Sequence, residues 1–409
     1  MHNFHEFFAV FLSLPARCIA QCLVVMSVSG SVRLFFYLLP VGMLLRVSRL
    51  QVTLGRVFVA LALLVLTCVG LAVLLIRDTL RFCDSTPEYH DMRTGKLERE
   101  VVLPTDAMYH VLLFRWRFFG RRHDGWLYQQ TLRKLNMAYD DWDIPFEVQG
   151  QDPKTQVLDY CMRYGVQTEP WVWSKPAEEY ETMNEFFARR HRPELTPERL
   201  CADAPVVAPA TGVVSFFETV AQMPALLKNE RFDFARCGIP RHAAYEPNAA
   251  CLFYLSAADY HNFHAPFGGR VRHVAMLAGA THSAGCQPEL LEHTNLLATN
   301  RRAVVVIACD GGGGGGGGGS RGSGGGGPLL CALVAIGGIA ADSIRLDDTL
   351  TEGATVSRGQ RLGCFARGGS AVALFFTSPV RLVAPCAAVH ARGLRFKVDC
   401  GSALAEFDL

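Results

Sequence analysis

Twenty consecutive residues, Val57 to Ile76 (VFVALALLVLTCVGLAVLLI), carry no charge and are closed off by Arg56 and Arg77. At ~1.5 Å of rise per residue, a helix over them would be ~30 Å long, the hydrocarbon thickness of a bilayer. A helix packed into a globular core usually keeps a polar stripe, whereas this run is apolar on every face. It is therefore expected to span a membrane, with the rest of the chain folding outside the bilayer. Residues 1–56 hold five arginines (Arg17, Arg33, Arg46, Arg49, Arg56), no lysine and one acid, Glu6. An arginine-rich, acid-poor leader has the texture of a mitochondrial transit segment. A second apolar run, Leu34 to Leu45, is short and contains Pro40, so it fits a signal-like or re-entrant piece as well as a second span. The arginine excess keeps the amino end on the cytoplasmic or matrix side and sends everything after Arg77 across the membrane. The expected address is the mitochondrial inner membrane, with an endoplasmic reticulum or Golgi/endosomal membrane as the alternative.

The formal net charge of +2 names no partner, and 50% hydrophobic residues suffice for one large core or two. The stretch LLFRWRFFGRRHDGW, Leu112 to Trp126, interleaves Arg115, Arg117, Arg121 and Arg122 with aromatics. Such a pattern suits a lipid headgroup layer, an ordinary amphipathic helix or a nucleic acid. Nothing else in the chain is basic or matches a nucleic-acid module, so no nucleic-acid partner is expected. The 14 cysteines include no Cys-x-x-Cys pair, which leaves them as packing thiols and supports no zinc site.

Residues 77–180 read as a connecting, partly helical region. From Met183, MNEFFARRHRPELTPER reads as a short helix capped by Asn184 and stopped by Pro193. The texture then turns to short β-type runs, GVVSFFETV, ACLFYLS, RAVVVIA, LCALVAIGGIA, SAVALFF and LRFKV, punctuated by glycine and proline. The expected fold is α+β: a leader over 1–56, a transmembrane helix over 57–76, the connecting region, and a β-rich catalytic domain over 181–409. The glycine run Gly311 to Gly327 interrupts two strands. Without a Gly-Lys-Ser/Thr ending it is a flexible hairpin insertion rather than a phosphate loop.

His261 and His264 stand three residues apart in YLSAADYHNFHAP, after Asp259 and Tyr260. The spacing alone admits a pair of metal ligands, an acid/base pair or two structural histidines. No further His or Cys cluster completes a tetrahedral site, so no metal is expected. A second candidate is Ser370, entered through Gly368 and Gly369 in FARGGSAVALFF, where glycines allow a strained turn next to a nucleophilic hydroxyl.

Four separated motifs occur in one order: MNEFFARRHRPE, VVAPATGVV, DYHNFHAPFGGRV and RGQRLGCFARGGSAVALFF. Together they resemble the phosphatidylserine decarboxylase proenzymes over roughly Glu178 to Leu409, the DYHNFHAP segment being the most specific. The resemblance implies self-cleavage between Gly369 and Ser370, leaving a β chain ending at Gly369 and an α chain of residues 370–409 as a heterodimer from one polypeptide. Ser370 Oγ would attack the Gly369 carbonyl, the amide becoming an ester. Elimination would give a dehydroalanine and a free Gly369 carboxylate, and hydrolysis would release ammonia and leave a pyruvoyl group in place of Ser370. That covalent cofactor would take the part of pyridoxal phosphate in converting phosphatidylserine to phosphatidylethanolamine. The resemblance further implies His264 as the self-processing base and His261 as the residue serving decarboxylation, with phosphatidylserine and the membrane lipid as partners.

The sequence departs from the family at Thr211, where the processing triad's aspartate belongs. A threonine can accept a hydrogen bond from the imidazole but supplies no charge, and loss of the equivalent charge in serine proteases costs about 10⁴ in rate. Asp203, Glu218 and Asp259 are the candidate substitutes. Ala371 and Arg367 also differ from the residues usual around the processing serine. These departures give the alternative expectation of a non-processing, inactive paralogue that acts as a lipid-binding or regulatory membrane protein.

Overall fold

The computed structural model describes residues 54–84, 86–102, 107–108, 111, 140–166, 172–223, 234–240, 245–279, 296–309, 329–338, 344–367 and 370–408. The expectations for the leader, Leu34 to Leu45, Leu112 to Trp126, the glycine run and Gly369 lie outside these residues. The chain divides into two compact units, residues 1–86 with 101–131 and residues 87–100 with 132–409.

In the first unit one helix runs over Leu54–Asp84. Its stretch Leu61–Asp84 is long and apolar enough to cross a membrane, and the apolar window in it is not buried in the protein, whereas Thr79 and Phe82 near its end are. The helix continues past the apolar run because its last turns find other partners. Arg77 pairs with Asp78 at 2.9 Å, and Phe82 packs with Ala107 and Val111.

The second unit is mixed α and β and rich in strands. They are β1 (Glu88–Asp91), β2 (Lys96–Arg99), β3 (Val206–Val207), β4 (Gly212–Phe217), β5 (Ala250–Leu255), β6 (Asn262–His264), β7 (Gly269–Leu277), β8 (Arg302–Cys309), β9 (Leu330–Gly337), β10 (Ile344–Leu346), β11 (Thr355–Val356), β12 (Arg361–Phe365), β13 (Ser370–Phe376), β14 (Val380–Leu382), β15 (Arg395–Val398) and β16 (Ala403–Phe407). Among the described residues ten of them form one sheet, ordered β11-β7-β8-β9-β13-β5-β4-β15-β1-β2. Two three-stranded sheets, β10-β12-β6 and β14-β16-β3, complete the architecture.

The central strands read as unbroken apolar runs because both faces of the large sheet are covered. In β13, Val372, Leu374 and Phe376 enter one core while Ala371, Ala373 and Phe375 enter another. The same alternation divides β8, where Ala303, Val305 and Ile307 face the first core and Val304, Val306 and Ala308 the second. The first core also takes Phe263, Leu362 and Phe365 from the β6–β12 sheet and Leu382, Leu404 and Ala405 from the β14–β16 sheet. Each fully buried valine, leucine or phenylalanine there contributes on the order of 1.5–3 kcal/mol.

β13 lies in the middle of the large sheet, hydrogen bonded to β5 on one side and β9 on the other. β8 and β9 pair antiparallel, with the glycine run in the connection between them. An aromatic cluster of Trp173, Tyr180, Phe186 and Phe187 packs with the helix Pro153–Tyr164. The helix expected from Met183 is a short one, Met183–Phe187. Its cap is Thr182, whose hydroxyl accepts from Glu185 N–H at 3.0 Å, because the Asn184 side chain is buried and bonded to Asp143. It ends before Arg189, and Pro193 opens a separate 3-10 turn, Pro193–Leu195.

Candidate active site

Ser370 opens β13, with Leu255 of β5 and Gly337 of β9 as its neighbours across the ladders. Alternation places its side chain on the face shared by Val372 and Leu374. It is fully buried, and its hydroxyl has no hydrogen-bond partner. A buried polar group left unpaired costs about 1–3 kcal/mol, so its retention in a well-packed strand points to chemistry rather than packing.

The two histidines arrive from the turn that follows β5. Leu255, opposite Ser370, is joined through residues 256–260 to His261, whose carbonyl accepts from Phe365 N–H at the end of β12. The chain then needs only residues 366–369 to pass from Phe365 to Ser370. The turn is fixed by Asp259, whose Oδ2 accepts from Ser256 N–H at 2.7 Å and from Ser256 Oγ at 2.9 Å. Its Oδ1 pairs with Lys397 Nζ of β15 at 2.6 Å. Ser256 and Lys397 also line a small cleft with Tyr89, Glu100, Tyr254 and Arg395.

Both imidazoles are buried, and hydrogen bonds to carbonyls set their tautomers. His261 Nδ1 lies 2.9 Å from the Asp259 main-chain oxygen and His264 Nδ1 lies 2.8 Å from that of Gly359. A carbonyl only accepts, so each Nδ1 carries the proton and each Nε2 the lone pair. His264 Nε2 accepts from Tyr260 Oη at 3.2 Å, and Tyr260 stacks in turn on His191. His261 Nε2 has no partner, and its ring lies on Phe187 with centroids 3.9 Å apart. Burial pushes both histidines down to about 4. The Asp259 carboxylate opposes this at His261, where Arg189 adds to it, and the Gly359 carbonyl opposes it at His264.

Ser370 thus opens β13, His261 stands in the turn after β5 with its carbonyl on the end of β12, and His264 closes β6 opposite Arg361; among the described residues Ser370 Oγ is hydrogen bonded to neither ring. Thr211, half of the sequence argument against processing, does something other than meet an imidazole. Its Oγ1 accepts from Cys400 N–H at 3.0 Å. Among the described residues neither histidine ring is hydrogen bonded to a carboxylate. Asp203 is exposed and reaches Arg358 at 3.4 Å, Glu218 is exposed, and the Asp259 carboxylate is committed to Ser256 and Lys397. Arg367 pairs with Asp143 at 3.2 Å, and Ala371 is buried in the second core.

Three contributors escaped the sequence reading: Arg189, Gly359 and Lys397. Gly359 had a signal in retrospect. Its φ is +74°, and a Cβ there would come within 2.9 Å of the Pro197 carbonyl oxygen, so the turn that presents its carbonyl to His264 requires glycine.

The family model for phosphatidylserine decarboxylase matches residues 183–406. A phosphatidylserine decarboxylase proenzyme of Chlamydia trachomatis is 27% identical over 240 residues, covering 57% of this chain and 72% of that one. Phosphatidylserine decarboxylase proenzyme 3 of Schizosaccharomyces pombe is 25% identical over 300 residues, 71% of this chain and 28% of its own length. Proenzyme 2 of Oryza sativa subsp. japonica is 27% identical over 235 residues, 56% and 35% of the two chains. The matched region contains Thr211, both histidines and Ser370, and with more than half of its length covered the chain belongs to the phosphatidylserine decarboxylase family of carboxy-lyases.

Proposed function

We propose that this chain is a membrane-anchored proenzyme that cuts itself between Gly369 and Ser370 and then converts phosphatidylserine to phosphatidylethanolamine. The observation that carries the reading is the buried hydroxyl of Ser370 at the head of a central strand, without a hydrogen-bond partner among the described residues, in a domain that also buries two histidines with defined tautomers. Residues 54–84 supply the anchor, and the mitochondrial inner membrane is the proposed address, with an endoplasmic reticulum or Golgi/endosomal membrane as the alternative.

His264 is the proposed base for self-processing. Its Nδ1–H is held by the Gly359 carbonyl, so Nε2 is the atom that takes the Ser370 proton, after exchanging its bond to Tyr260. The unpaired Ser370 oxygen fits the precursor of a pyruvoyl group. That group supplies a ketone that takes up the headgroup amine and draws off the electron pair released with carbon dioxide. His261 Nε2, a buried lone pair without a partner, is the proposed acceptor for the proton that the headgroup ammonium must lose before its amine can react. The cut chain remains one folded unit of two pieces, because the residues after Ser370 pair with strands that precede it.

A second reading, a non-processing paralogue that binds lipid or regulates an active relative, is favoured by one observation. The position expected to hold an aspartate is Thr211, and its oxygen is spent on Cys400 N–H. Intact-mass measurement and a denaturing gel of the expressed protein beside Ser370→Ala separate the two. A short carboxy-terminal fragment with a blocked amino terminus, absent from Ser370→Ala, is the result expected of the proenzyme. A single uncut chain in both samples would sink it in favour of the paralogue.

A further inference from the structure

Arg189 is almost completely buried, yet among the described residues it is paired with no carboxylate. Its Nη2 donates to the main-chain oxygens of Ala258 and Asp259, both at 3.1 Å, while Nε and Nη1 find no acceptor. The guanidinium carbon lies 5.0 Å from the Phe186 ring centroid. A buried cation without a counter-ion is costly, and one that spends its only hydrogen bonds on two consecutive carbonyls of a single turn is there for that turn. The Asp259 carbonyl oxygen is also the acceptor for His261 Nδ1–H. Its two lone pairs are therefore divided between a fixed cation and the imidazole.

The contact is reciprocal. Asn262, next to His261, donates from Nδ2 to the Arg189 carbonyl at 2.9 Å and to the Ala188 carbonyl at 3.4 Å. The same short segment supplies Phe187, which covers the His261 ring. The imidazole is thus gripped through its ring face, through the acceptor of its Nδ1–H and through the main chain that follows it.

We infer that Arg189 is a positioning residue for His261: by sharing the Asp259 carbonyl with the imidazole, it fixes the Nδ1–H tautomer and keeps Nε2 a free acceptor. The inference rests on the proposed use of His261 in decarboxylation, but its geometry stands apart from any activity. The charges bearing on His261 are Arg189 and the Asp259 carboxylate, the latter paired with Lys397 of β15; Phe187, on the ring face, is uncharged. Around Arg189 stand Tyr160, Cys161 and Tyr180, and the Asp259 carboxylate acts on it from farther off without a hydrogen bond among the described residues.

The test is an ¹⁵N NMR titration of the histidines in the full chain carrying Ser370→Ala, which stays uncut, alone and combined with Arg189→Gln or Arg189→Lys. With Arg189 present, His261 should show the Nδ1–H tautomer and remain neutral well below pH 6. Arg189→Gln should raise its protonation midpoint by about one pH unit or more, since a nearby like charge has been removed, and mix the tautomers, since the Asp259 carbonyl is no longer held in place. Arg189→Lys, which keeps the charge, should restore most of the original midpoint. An unchanged midpoint in folded Arg189→Gln overturns the inference. So does an Nε2–H tautomer, or protonation near the ordinary 6.5, in the chain that keeps Arg189, a result that needs no Arg189 variant to fold. Failure of the unmutated chain to cut itself or release carbon dioxide would remove the decarboxylase reading and leave this measurement to stand alone.

Discussion

Thr211→Val asks whether the residue standing in the aspartate position takes part in self-processing. The substitution keeps the shape of the side chain and removes one oxygen, which accepts from Cys400 N–H at 3.0 Å and is hydrogen bonded to no histidine among the described residues. Stranding a part-buried main-chain donor costs up to about 1–3 kcal/mol. In a domain of this size that lowers the melting temperature by roughly 2–4 °C per kcal/mol. The rate of cutting, by contrast, should stay within assay error of the parent, because His264 Nδ1–H is oriented by the Gly359 carbonyl, 2.8 Å away. Were Thr211 filling the aspartate's role, the loss would approach the ~10⁴ seen when a triad carboxylate is removed. The assay follows the carboxy-terminal fragment over hours on a denaturing gel, with thermal melts of the uncut Ser370→Ala background to separate stability from rate. A fall in cutting of tenfold or more with the melting temperature preserved would refute the assignment of orientation to Gly359.

Two further outcomes are expected. His191, His261 and His264 are each held down to about 4 by burial, so the unfolded chain binds protons near 6.5 that the folded chain refuses; stability is then full above about pH 6.5 and declines as the pH falls toward 4, by roughly 3 kcal/mol per histidine at the lower end, as denaturant melts across that window would register. Lys397→Met leaves the Asp259 carboxylate buried against Ser256 without its cation and should cost about 3–5 kcal/mol in the same melts, whereas a loss under 1 kcal/mol would mean that the pair contributes no more than a surface bridge.

Much of the sheet was legible for a physical reason. β4, β5, β8, β9, β13 and β15 are rich in β-branched and apolar residues, and those covered on both faces read as continuous runs. β7 was not, because its arginines and histidine alternate with buried residues, and the polar strands β1 and β2 carry almost no apolar signal. The central place of β13 was also hidden: its neighbours β5 and β9 come from distant sequence, so pairing order leaves no local mark. At the site, the histidine pair and Ser370 stood out by motif. Arg189 did not, since an arginine within ARRHR reads as solvated charge until a turn about seventy residues away folds over it. The partner of Thr211 was hidden similarly, because the donor that meets its oxygen lies far along the chain, at Cys400.

The position of β13 has a bearing on the life history of the molecule. If the proposed cut before Ser370 is made, the smaller piece holds two places in the ten-stranded order, β13 between β9 and β5 and β15 between β4 and β1. The larger piece would then hold three separate groups of strands, β11-β7-β8-β9, β5-β4 and β1-β2, with no common edge of their own. Folding would be a single-use event: it happens while the polypeptide is continuous, and a cut molecule that unfolds must find its partner by collision, at a rate set by concentration. Under the proposed chemistry even a successful reunion would not remake the pyruvoyl group, because its precursor serine would already have been consumed. The working enzyme would therefore persist through slow unfolding rather than through any ability to recover, and its lifetime in the membrane would be written in the barrier to unzipping those two strands.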